Sequence, residues 1–393
     1  MNGRGKFRFA GMAFAVALIL ALGAAFASGK EFYKMSTIGP GTSPFIVSTT
    51  FAQMGKKYVG VEIQINATGA ATRHAVDAAR GKIDFFMSAP VVQHFMQNNL
   101  AMYKKLKEAP ELAKKLRTVF NFPIGVYHMT VYEDSGIKSL MDIKGKRVFL
   151  GPPTGAARVV ARAIVEGATG YKAGKDFTVV KLGWSAAGQA CQDRQLDLYI
   201  NPTNVPSPII SQVALTNKIR FLGLSEADFK TKRIQGLMKL PGRTIETIPP
   251  KAYGRNQTNT TTVTSVGAWV GIGTHEGVPE EVVYKLTKAF FDHLDEVHAQ
   301  AVWMKAISLE NVFKELNIPV HPGARRQPDV AGNPRGADFH RNGDLVIGRF
   351  AKLFELDRQI VGTEPIGVAA WAALVHADGQ IAHIRHFVGD FQA

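Results

Sequence analysis

Two stretches of the chain follow the same pattern, and this repetition constrains the fold more than any other feature. Residues 81–90 read GKIDFFMSAP and residues 194–203 read RQLDLYINPT, so each has an Asp, a short apolar strand and a proline-containing loop. The two Asp residues are 113 positions apart, and the glycine turns that begin at Gly39 and Gly151 are 112 apart. Because the Asp residues and the glycine turns recur at nearly the same spacing, the sequence predicts two similar lobes, each presenting a glycine turn to a shared cleft.

Within each predicted lobe, strands alternate with helices. Residues 61–65 alternate in polarity as a strand does, an alanine-rich helix ends at Gly81, and residues 83–87 form a short apolar strand. The second part repeats this order, with strands predicted at 147–150, 177–182 and 197–200. This order indicates parallel sheets, whose loops at the C-terminal strand ends gather on one edge, where open α/β sheets bind ligands.

The chain is predicted to cross between the lobes twice. A β-rich apolar run at 261–273 and an amphipathic helix at 279–298 follow the second lobe, and we expect them to return to the first. Two crossing strands, near 127–132 and near 263–269, would form a hinge for closure. The predicted division is 28–128 with 264–324 for lobe I, and 129–263 for lobe II.

The N-terminus has the pattern of a secretory signal peptide. Three basic residues within the first eight precede an uncharged run at 9–27, which ends on the small-residue pattern Ala25-Phe26-Ala27. A membrane anchor is the alternative, but Gly11 and Gly23 interrupt the apolar run. We therefore expect residues 1–27 to be cleaved and the protein to be exported to the periplasm.

Charge and reactive side chains narrow the class of function. The chain has 47 Lys and Arg against 32 Asp and Glu, a formal charge of +15, which falls to about +12 without the signal peptide. The basic residues are scattered, with no basic patch interleaved with aromatics, which argues against nucleic acid as a partner. The single Cys191 excludes an intrachain disulfide and is expected to be buried.

Motifs for catalysis and for cofactors are not found. The eleven histidines form no set at metal-ligand spacing, and the second glycine loop lacks the Lys of a nucleotide-binding P-loop. No nucleophile with a His partner is identified from spacing. We predict no metal, no cofactor and no enzymatic activity.

The first glycine turn, STIGPGTSPF at residues 36–45, has the features of an anion-binding loop. Ser43 is expected to cap the following helix, and Pro44 suits its first turn because no amide hydrogen is needed there. Free N–H groups and the helix dipole then favour an anion over Gly41, Thr42 and Ser43. Helix capping without any ligand is the alternative explanation of the same residues.

These stretches resemble the TRAP-associated extracytoplasmic immunogenic (TAXI) proteins, the solute receptors of tripartite ATP-independent periplasmic (TRAP) transporters. The resemblance covers residues 36 to about 324 and is carried, in the family's order, by STIGPGTSPF, INATGAATRHAVDAARGKIDFFMSA, GIKSLMDIKGKRVFLGPPTGAAR, LGWSAAGQACQDRQLDLYINPTNVPSPII, VPEEVVYKLTKAFFDHLDEV and ISLENVFKELNIPVHPGA. It implies a type II periplasmic-binding-protein fold, made of two α/β lobes with a hinge of two crossing strands.

The resemblance also implies a function. The ligand would be a small organic anion, namely a dicarboxylate, an oxoacid or an acidic amino acid, delivered to TRAP membrane subunits. The turn at residues 39–44 reads GPGTSP, where the family has more glycines and an aromatic pair. The turn at residues 69–73 reads GAATR in place of a Gly-Gly-Ser run. These departures bear on the identity of the ligand. A periplasmic sensor for a signalling receptor and an enzyme on the same scaffold are the alternatives.

Twelve residues are predicted to contact the ligand, through hydroxyls, backbone N–H groups or a guanidinium. Arg158 is predicted to clamp a carboxylate in a bidentate contact, with a solvated or acid-paired side chain as the equal alternative, and Arg73 is a weaker candidate. Trp184 is predicted to cover the carbon skeleton, although an aromatic here is as often part of a core. The set is Gly41, Thr42, Ser43, Thr68, Gly69, Ala70, Ser88, Thr154, Gly155, Arg158, Trp184 and Asn204.

Residues 325–393 extend beyond the resemblance. They open with Arg, Pro, Gly and Asp residues typical of a linker, and Asp378-Gly379 predicts a hairpin turn. We assign this extension no role.

Overall fold

The computed structural model describes residues 32–326. The predicted signal peptide and all but the first two residues of the C-terminal extension lie outside the described residues. Within residues 32–326, none of the helices combines the length and apolar composition that crossing a bilayer requires. The described part of the chain is an α/β protein built on one long sheet.

The first half of the sheet begins with three parallel strands. They are β1 (Phe32–Ser36), β2 (Glu62–Asn66) and β3 (Phe85–Ser88), and β1 pairs with both of the others in parallel. The helices of this half are α1 (Ser43–Met54), continued by a π-helical turn at Gly55–Val59, α2 (Ala71–Ala79), α3 (Pro90–Gln97) and α4 (Ala109–Lys114). The predicted order of strand, helix, strand, helix, strand is confirmed.

The second half repeats this plan. Its parallel strands are β5 (Arg147–Phe149), β6 (Thr178–Val179) and β7 (Leu198–Thr203), with β5 between the other two. Strand β6 is shorter than predicted, whereas β7 continues through residues expected to form a loop. The remaining elements are α5 (Ala156–Thr169), α6 (Trp184–Gln192), α7 (Pro208–Thr216), β8 (Ile219–Phe221), α8 (Glu226–Lys230) and α9 (Lys232–Met238).

Two long antiparallel strands join the halves. Strand β4 (Leu116–Tyr132) pairs with β10 (Val263–His275), then continues to pair with β7 and β8. Strand β10 pairs with β3 at one end and with β9 (Arg243–Ile248) at the other. The strand order is β2-β1-β3-β10-β4-β7-β5-β6.

This topology confirms the predicted fold class. In each half the parallel strands stand in the order second, first, third, and an antiparallel crossing strand follows, as in a type II periplasmic-binding protein. The predicted lobe boundaries fall inside β4 and at the first residue of β10, two strands that both halves share. The exact division of the chain therefore stays a prediction.

The repeated Asp has the same structural role in both halves. Asp84 accepts a hydrogen bond at Oδ2 from Lys34 N (2.8 Å), and its own N–H donates to Lys34 O (2.9 Å). Asp197 accepts from Arg147 N (2.7 Å) and donates to Arg147 O (2.9 Å). In each case the partner lies 50 residues upstream. The predicted internal repeat is thus a repeated junction between the first and third strands.

The chain returns to the first half after β10. Helix α10 (Glu280–Asp292) places Phe290 against Phe51 of α1 and Phe120 of β4, with ring centroids 6.0 and 4.8 Å apart. The last helices are α11 (Leu294–Ala299) and α12 (Pro322–Arg325). The predicted return of residues 279–298 is confirmed, because burial of its apolar face completes the first core.

Candidate functional site

A cavity of about 60 Å³ lies between the two halves, over the crossing strands. Strands β4 and β10 form one wall with Ile124, Tyr127, Ala268 and Val270. The first half contributes Ile38, Ala70, Ala71, Met87, Ala89, Val91 and Val92, and the second contributes Gly155, Ala156, Ala157, Trp184, Pro202 and Arg243. Its position matches the predicted shared cleft at the C-terminal strand ends.

Four helices begin at this cavity. The lining residues Ala71, Ala156 and Trp184 are the first residues of α2, α5 and α6, and α3 begins beside Ala89. The first amide groups of a helix have no carbonyl within the helix to bond, and the helix dipole makes this end positive. Convergence of four such ends gives the cavity a positive field and several N–H donors.

Arg243 adds a full positive charge to the same cavity. Its side chain is buried, with 9% of the residue exposed, and Nη1 lies 3.5 Å from the hydroxyl of Tyr127. The buried Nε has no hydrogen-bond partner. Among residues 32–326, no Asp or Glu forms an ion pair with this guanidinium. A buried charge without a counterion is unfavourable, so this arrangement favours binding of an anion.

The turn before β9 fixes where Arg243 emerges. Gly242 has a φ of 72°, a backbone conformation that glycine adopts without strain. Its N–H donates to Glu315 Oε2 (3.0 Å), and its carbonyl accepts from Trp269 N (3.0 Å). Arg243 then pairs with Ala268 of β10. The backbone under the guanidinium is therefore held from both sides.

Three of the predicted contact residues line the cavity: Ala70, Gly155 and Trp184. Trp184 also packs in the second core, with its ring edge-on to Phe149 at a centroid distance of 5.6 Å. Both interpretations of this aromatic, cleft wall and core, therefore describe its position. Contact with a ligand stays a prediction for all three.

The part of the first glycine turn predicted to hold an anion lies against the second half; of residues 36–45, Ile38 is the residue that lines the cavity. Thr42, not Ser43, is the N-cap of α1: its Oγ1 accepts from Phe45 N (3.4 Å) and donates to Gly39 O (2.7 Å). The prediction that Ser43 caps this helix is wrong, because the helix starts at Ser43, one residue earlier than expected. Gly41 approaches Ile209 of α7.

Ser43 joins the two halves. Its Oγ accepts from Asn204 N (3.2 Å) and lies 3.2 Å from Thr203 Oγ1. The side-chain amide of Asn204 donates to Pro123 O (3.1 Å). These polar groups already have partners within the protein, and the predicted ligand contacts of Gly41, Thr42, Ser43 and Asn204 stay untested.

Four other predicted residues lie near the cleft, and three of them have hydrogen-bond partners within the protein. Thr68 Oγ1 donates to Asn66 Oδ1 (2.8 Å), in the loop that includes Gly69. Ser88 Oγ accepts from Gln93 Nε2 (2.7 Å), and Thr154 O accepts from Thr72 Oγ1 (3.0 Å) across the cleft. None of the four is among the described residues that line the cavity. Their role in binding stays a prediction.

The two arginines predicted from sequence lie outside the cavity wall. Arg73 is exposed and pairs with Asp77 (3.3 Å). Arg158 is half-buried, and burial together with the neighbouring Arg162 lowers its pKa. The sequence analysis missed Arg243. The available signal was Pro241-Gly242, a turn directly before the alternating stretch RTIETI.

Other reactive groups are sparse in the described part of the chain. Cys191 is buried, as expected, and burial raises the pKa of its thiol to about 12. Within residues 32–326, no group of three or more His, Cys, Asp or Glu side chains is arranged to hold a metal ion. The cavity therefore offers N–H donors, one hydroxyl and one guanidinium.

Solved structures with a similar fold include the periplasmic binding protein BugD, at 14% identity over 82% of this chain and 96% of that chain, with a TM-score of 0.48. A TRAP periplasmic solute-binding protein from Ralstonia eutropha H16, solved with (S)-2-acetolactate, is 13% identical over 69% of this chain and 80% of its own, with a TM-score of 0.40. One from Shewanella oneidensis, solved with succinate, is 13% identical over 70% and 80%, with a TM-score of 0.39. At such distances two chains need not share a ligand.

A sequence profile of the NMT1-like family matches residues 35–327, which is most of the chain and all but the first three of the described residues. The matched region includes both halves of the sheet, the two crossing strands and every residue of the cavity wall. This protein belongs to the NMT1-like family.

Proposed function

We propose that this protein is an extracytoplasmic solute receptor that binds a small organic anion between its two halves and delivers it to TRAP membrane subunits. The observation that carries the proposal is Arg243, a buried guanidinium without an acidic partner among the described residues, at a cavity where four helices begin. An anion at this place would neutralise the charge and accept hydrogen bonds from the helix N-termini.

The contacts across the cleft support closure around a ligand. Thr72 of α2 donates to Thr154 O, and Ser43 of α1 contacts Thr203 and Asn204. Two crossing strands are the covalent connections between the halves, which suits hinge motion. A ligand that contacts both sides would shift the population towards the closed form.

The assignment to the periplasm and to TRAP transport depends on the sequence. The signal-peptide pattern at residues 1–27 supports export, and the TAXI resemblance supports delivery to TRAP subunits. Receptors of this kind bind their ligand unchanged, so we propose no catalytic activity. Dicarboxylates, oxoacids and acidic amino acids are the classes that the resemblance suggests.

Binding is tested by a thermal-shift screen of organic anions on the mature protein, followed by calorimetric titration. A ligand at about 100 times its dissociation constant adds about 2.7 kcal/mol to stability. We expect at least one anion to raise the unfolding temperature of the wild type and to leave Arg243→Met unaffected. Arg255→Met, which removes an exposed arginine, is the matched control and should bind normally. If no anion shifts the wild type, the receptor proposal is wrong.

Delivery is tested separately, by uptake into vesicles that contain the TRAP membrane subunits. We expect uptake of the identified anion to require the receptor and to be lost with Arg243→Met. Binding without any stimulation of uptake would contradict the transport role and favour the periplasmic sensor.

A further inference from the structure

We infer that the ligand is a small aliphatic monocarboxylate, and not a dicarboxylate or an acidic amino acid. This inference rests on the proposed function and narrows it. It is argued from the charges, the walls and the size of the cavity.

The charge count of the cavity favours a monoanion. Among the described residues that line it, Arg243 alone carries a charge. A second carboxylate would lie in the cavity without a cationic partner, and the ammonium of an amino acid would find no Asp or Glu there. Burying either group unpaired is strongly unfavourable. One carboxylate on the ligand therefore balances the charge of the site.

The guanidinium is the cationic group that a carboxylate would meet in this cavity. Its Nη1 lies 3.5 Å from the hydroxyl of Tyr127, and its Nε is buried without a hydrogen-bond partner. A charge-assisted hydrogen bond from the guanidinium to one carboxylate would offset the cost of burying this charge. Burial raises the pKa of Tyr127, so its hydroxyl stays protonated and adds no charge.

The rest of the wall is suited to a hydrocarbon body. Ile38, Met87, Val91, Val92, Ile124 and Val270 line the cavity, and Trp184 lies on the side of the second half. Contact with these side chains removes apolar ligand surface from water, which is favourable in proportion to area. A polar group at the far end of the ligand would instead lose its hydration there.

The size of the cavity limits the size of the ligand. Its volume of about 60 Å³ corresponds to roughly two water molecules at their volume in the liquid. Even a small acid would therefore have to widen the cavity, and a larger ligand would require the halves to separate further.

Calorimetric titration of the mature wild-type protein with butyrate, isovalerate, succinate and glutamate tests the inference. Butyrate and succinate form the matched pair, since they differ only in the replacement of a methyl by a carboxylate. We expect a monocarboxylate to bind at least about 100-fold more tightly than succinate or glutamate. Tighter or equal binding of succinate or glutamate would overturn the inference and leave the receptor function standing. If none of the four acids binds while another anion in the thermal-shift screen does, the inference fails and the receptor function stands.

A variant of the wall gives a second, independent readout. Val270→Thr keeps the shape of a buried residue of β10 and adds a hydroxyl to the apolar wall. We expect butyrate affinity to fall roughly 5- to 30-fold, because the ligand would cover an unsatisfied hydroxyl. Its thermal unfolding without ligand checks that the variant is folded. Unchanged butyrate affinity in a folded variant would contradict contact between the hydrocarbon and this wall.

Discussion

Replacement of Arg243 by Met is expected to stabilise the ligand-free protein. The guanidinium is about nine-tenths buried, its Nε has no partner, and no acid among the described residues pairs with it. Met is an unbranched apolar side chain that can occupy the space of the arginine side chain without a charge. Exchange of buried charged groups for apolar ones of similar volume often gains about 1–4 kcal/mol. For a protein larger than 250 residues, this gain predicts an unfolding temperature roughly 2–8 °C higher.

Differential scanning calorimetry on the apo proteins measures this difference, and a bound anion should reverse or reduce it. At about 100 times its dissociation constant, the ligand adds about 2.7 kcal/mol to the wild type and nothing to Arg243→Met. Arg243→Lys keeps the charge and loses the planar fork, so we expect it to be no more stable than the wild type. Comparing the unfolding temperatures of Arg243→Met and Arg243→Lys separates the effect of the charge from the effect of side-chain packing.

A lower unfolding temperature of apo Arg243→Met would refute this reasoning. Such a result would mean that the guanidinium contributes more through its contact with Tyr127 than its desolvation costs. The cation would then be a structural element, and the anion site would have to depend on the helix N-termini alone. An unchanged temperature for Arg243→Lys alongside a higher one for Arg243→Met would instead identify the charge as the cause.

Three further perturbations test separate parts of the structure. His128 is fully buried and its pKa is lowered to about 3 because burial disfavours the imidazolium, so the unfolded chain binds a proton below about pH 6.5 that the folded protein does not. The His128 contribution to the free energy of unfolding should fall by up to about 1.4 kcal/mol per pH unit between about pH 6.5 and 5. His128→Gln should reduce the slope in urea unfolding without abolishing it, because burial also lowers the pKa of His74 and His321. Thr72→Val removes the hydrogen bond to Thr154 O, worth about 1 kcal/mol, so a roughly fivefold shift to the open form should raise the radius of gyration in X-ray scattering. Gly125→Ala should be destabilising by several kcal/mol in calorimetry, and more so than Gly136→Ala. Both glycines have a positive φ, but only at Gly125 would the new Cβ clash with a backbone oxygen, that of Thr203.

Each of these tests has an outcome that contradicts it. An equal pH slope in wild type and His128→Gln would assign the slope to other groups. Thr49→Val is the control for Thr72→Val: it removes a hydroxyl contact within α1 and should leave the radius of gyration unchanged. An equal change of the radius of gyration in both variants would mean that the hydrogen bond across the cleft does not hold the halves together. Equal stability of the two glycine variants would mean that the strands relax around the added methyl group.

Local patterns were sufficient to predict most of the fold. Alternating strands, an alanine-rich helix and glycine turns are encoded over fewer than 20 residues, and the two halves repeat them. The Asp84 and Asp197 junctions show why the repeat is visible: each carboxylate replaces a missing backbone partner at the start of a strand. Such a requirement restricts the residue type at one position, and so it survives in the sequence.

The candidate site was less accessible to sequence reasoning. Arg243 and Tyr127 are 116 residues apart, and only the pairing of β9, β10 and β4 brings them together. The lack of an acidic partner is likewise a property of the folded chain. The glycine turn at residues 36–45 shows a second limit of sequence reasoning, and its predicted ligand contacts stay a prediction. Its hydroxyls are typical of an anion loop, but Ser43 Oγ contacts the second half.

The route of β10 affects how the protein folds. Strand β3 ends at Ser88, yet its neighbour in the sheet is β10, which begins 175 residues later at Val263. The first half therefore exposes an unpaired edge until almost the whole described chain has been synthesised, and closing so long a loop slows folding. Under the export that we propose from the signal-peptide pattern, such a delay would be an advantage, because late completion of the sheet would help to keep the chain unfolded during translocation. The strand that would serve as a hinge in the mature receptor would then also time its folding.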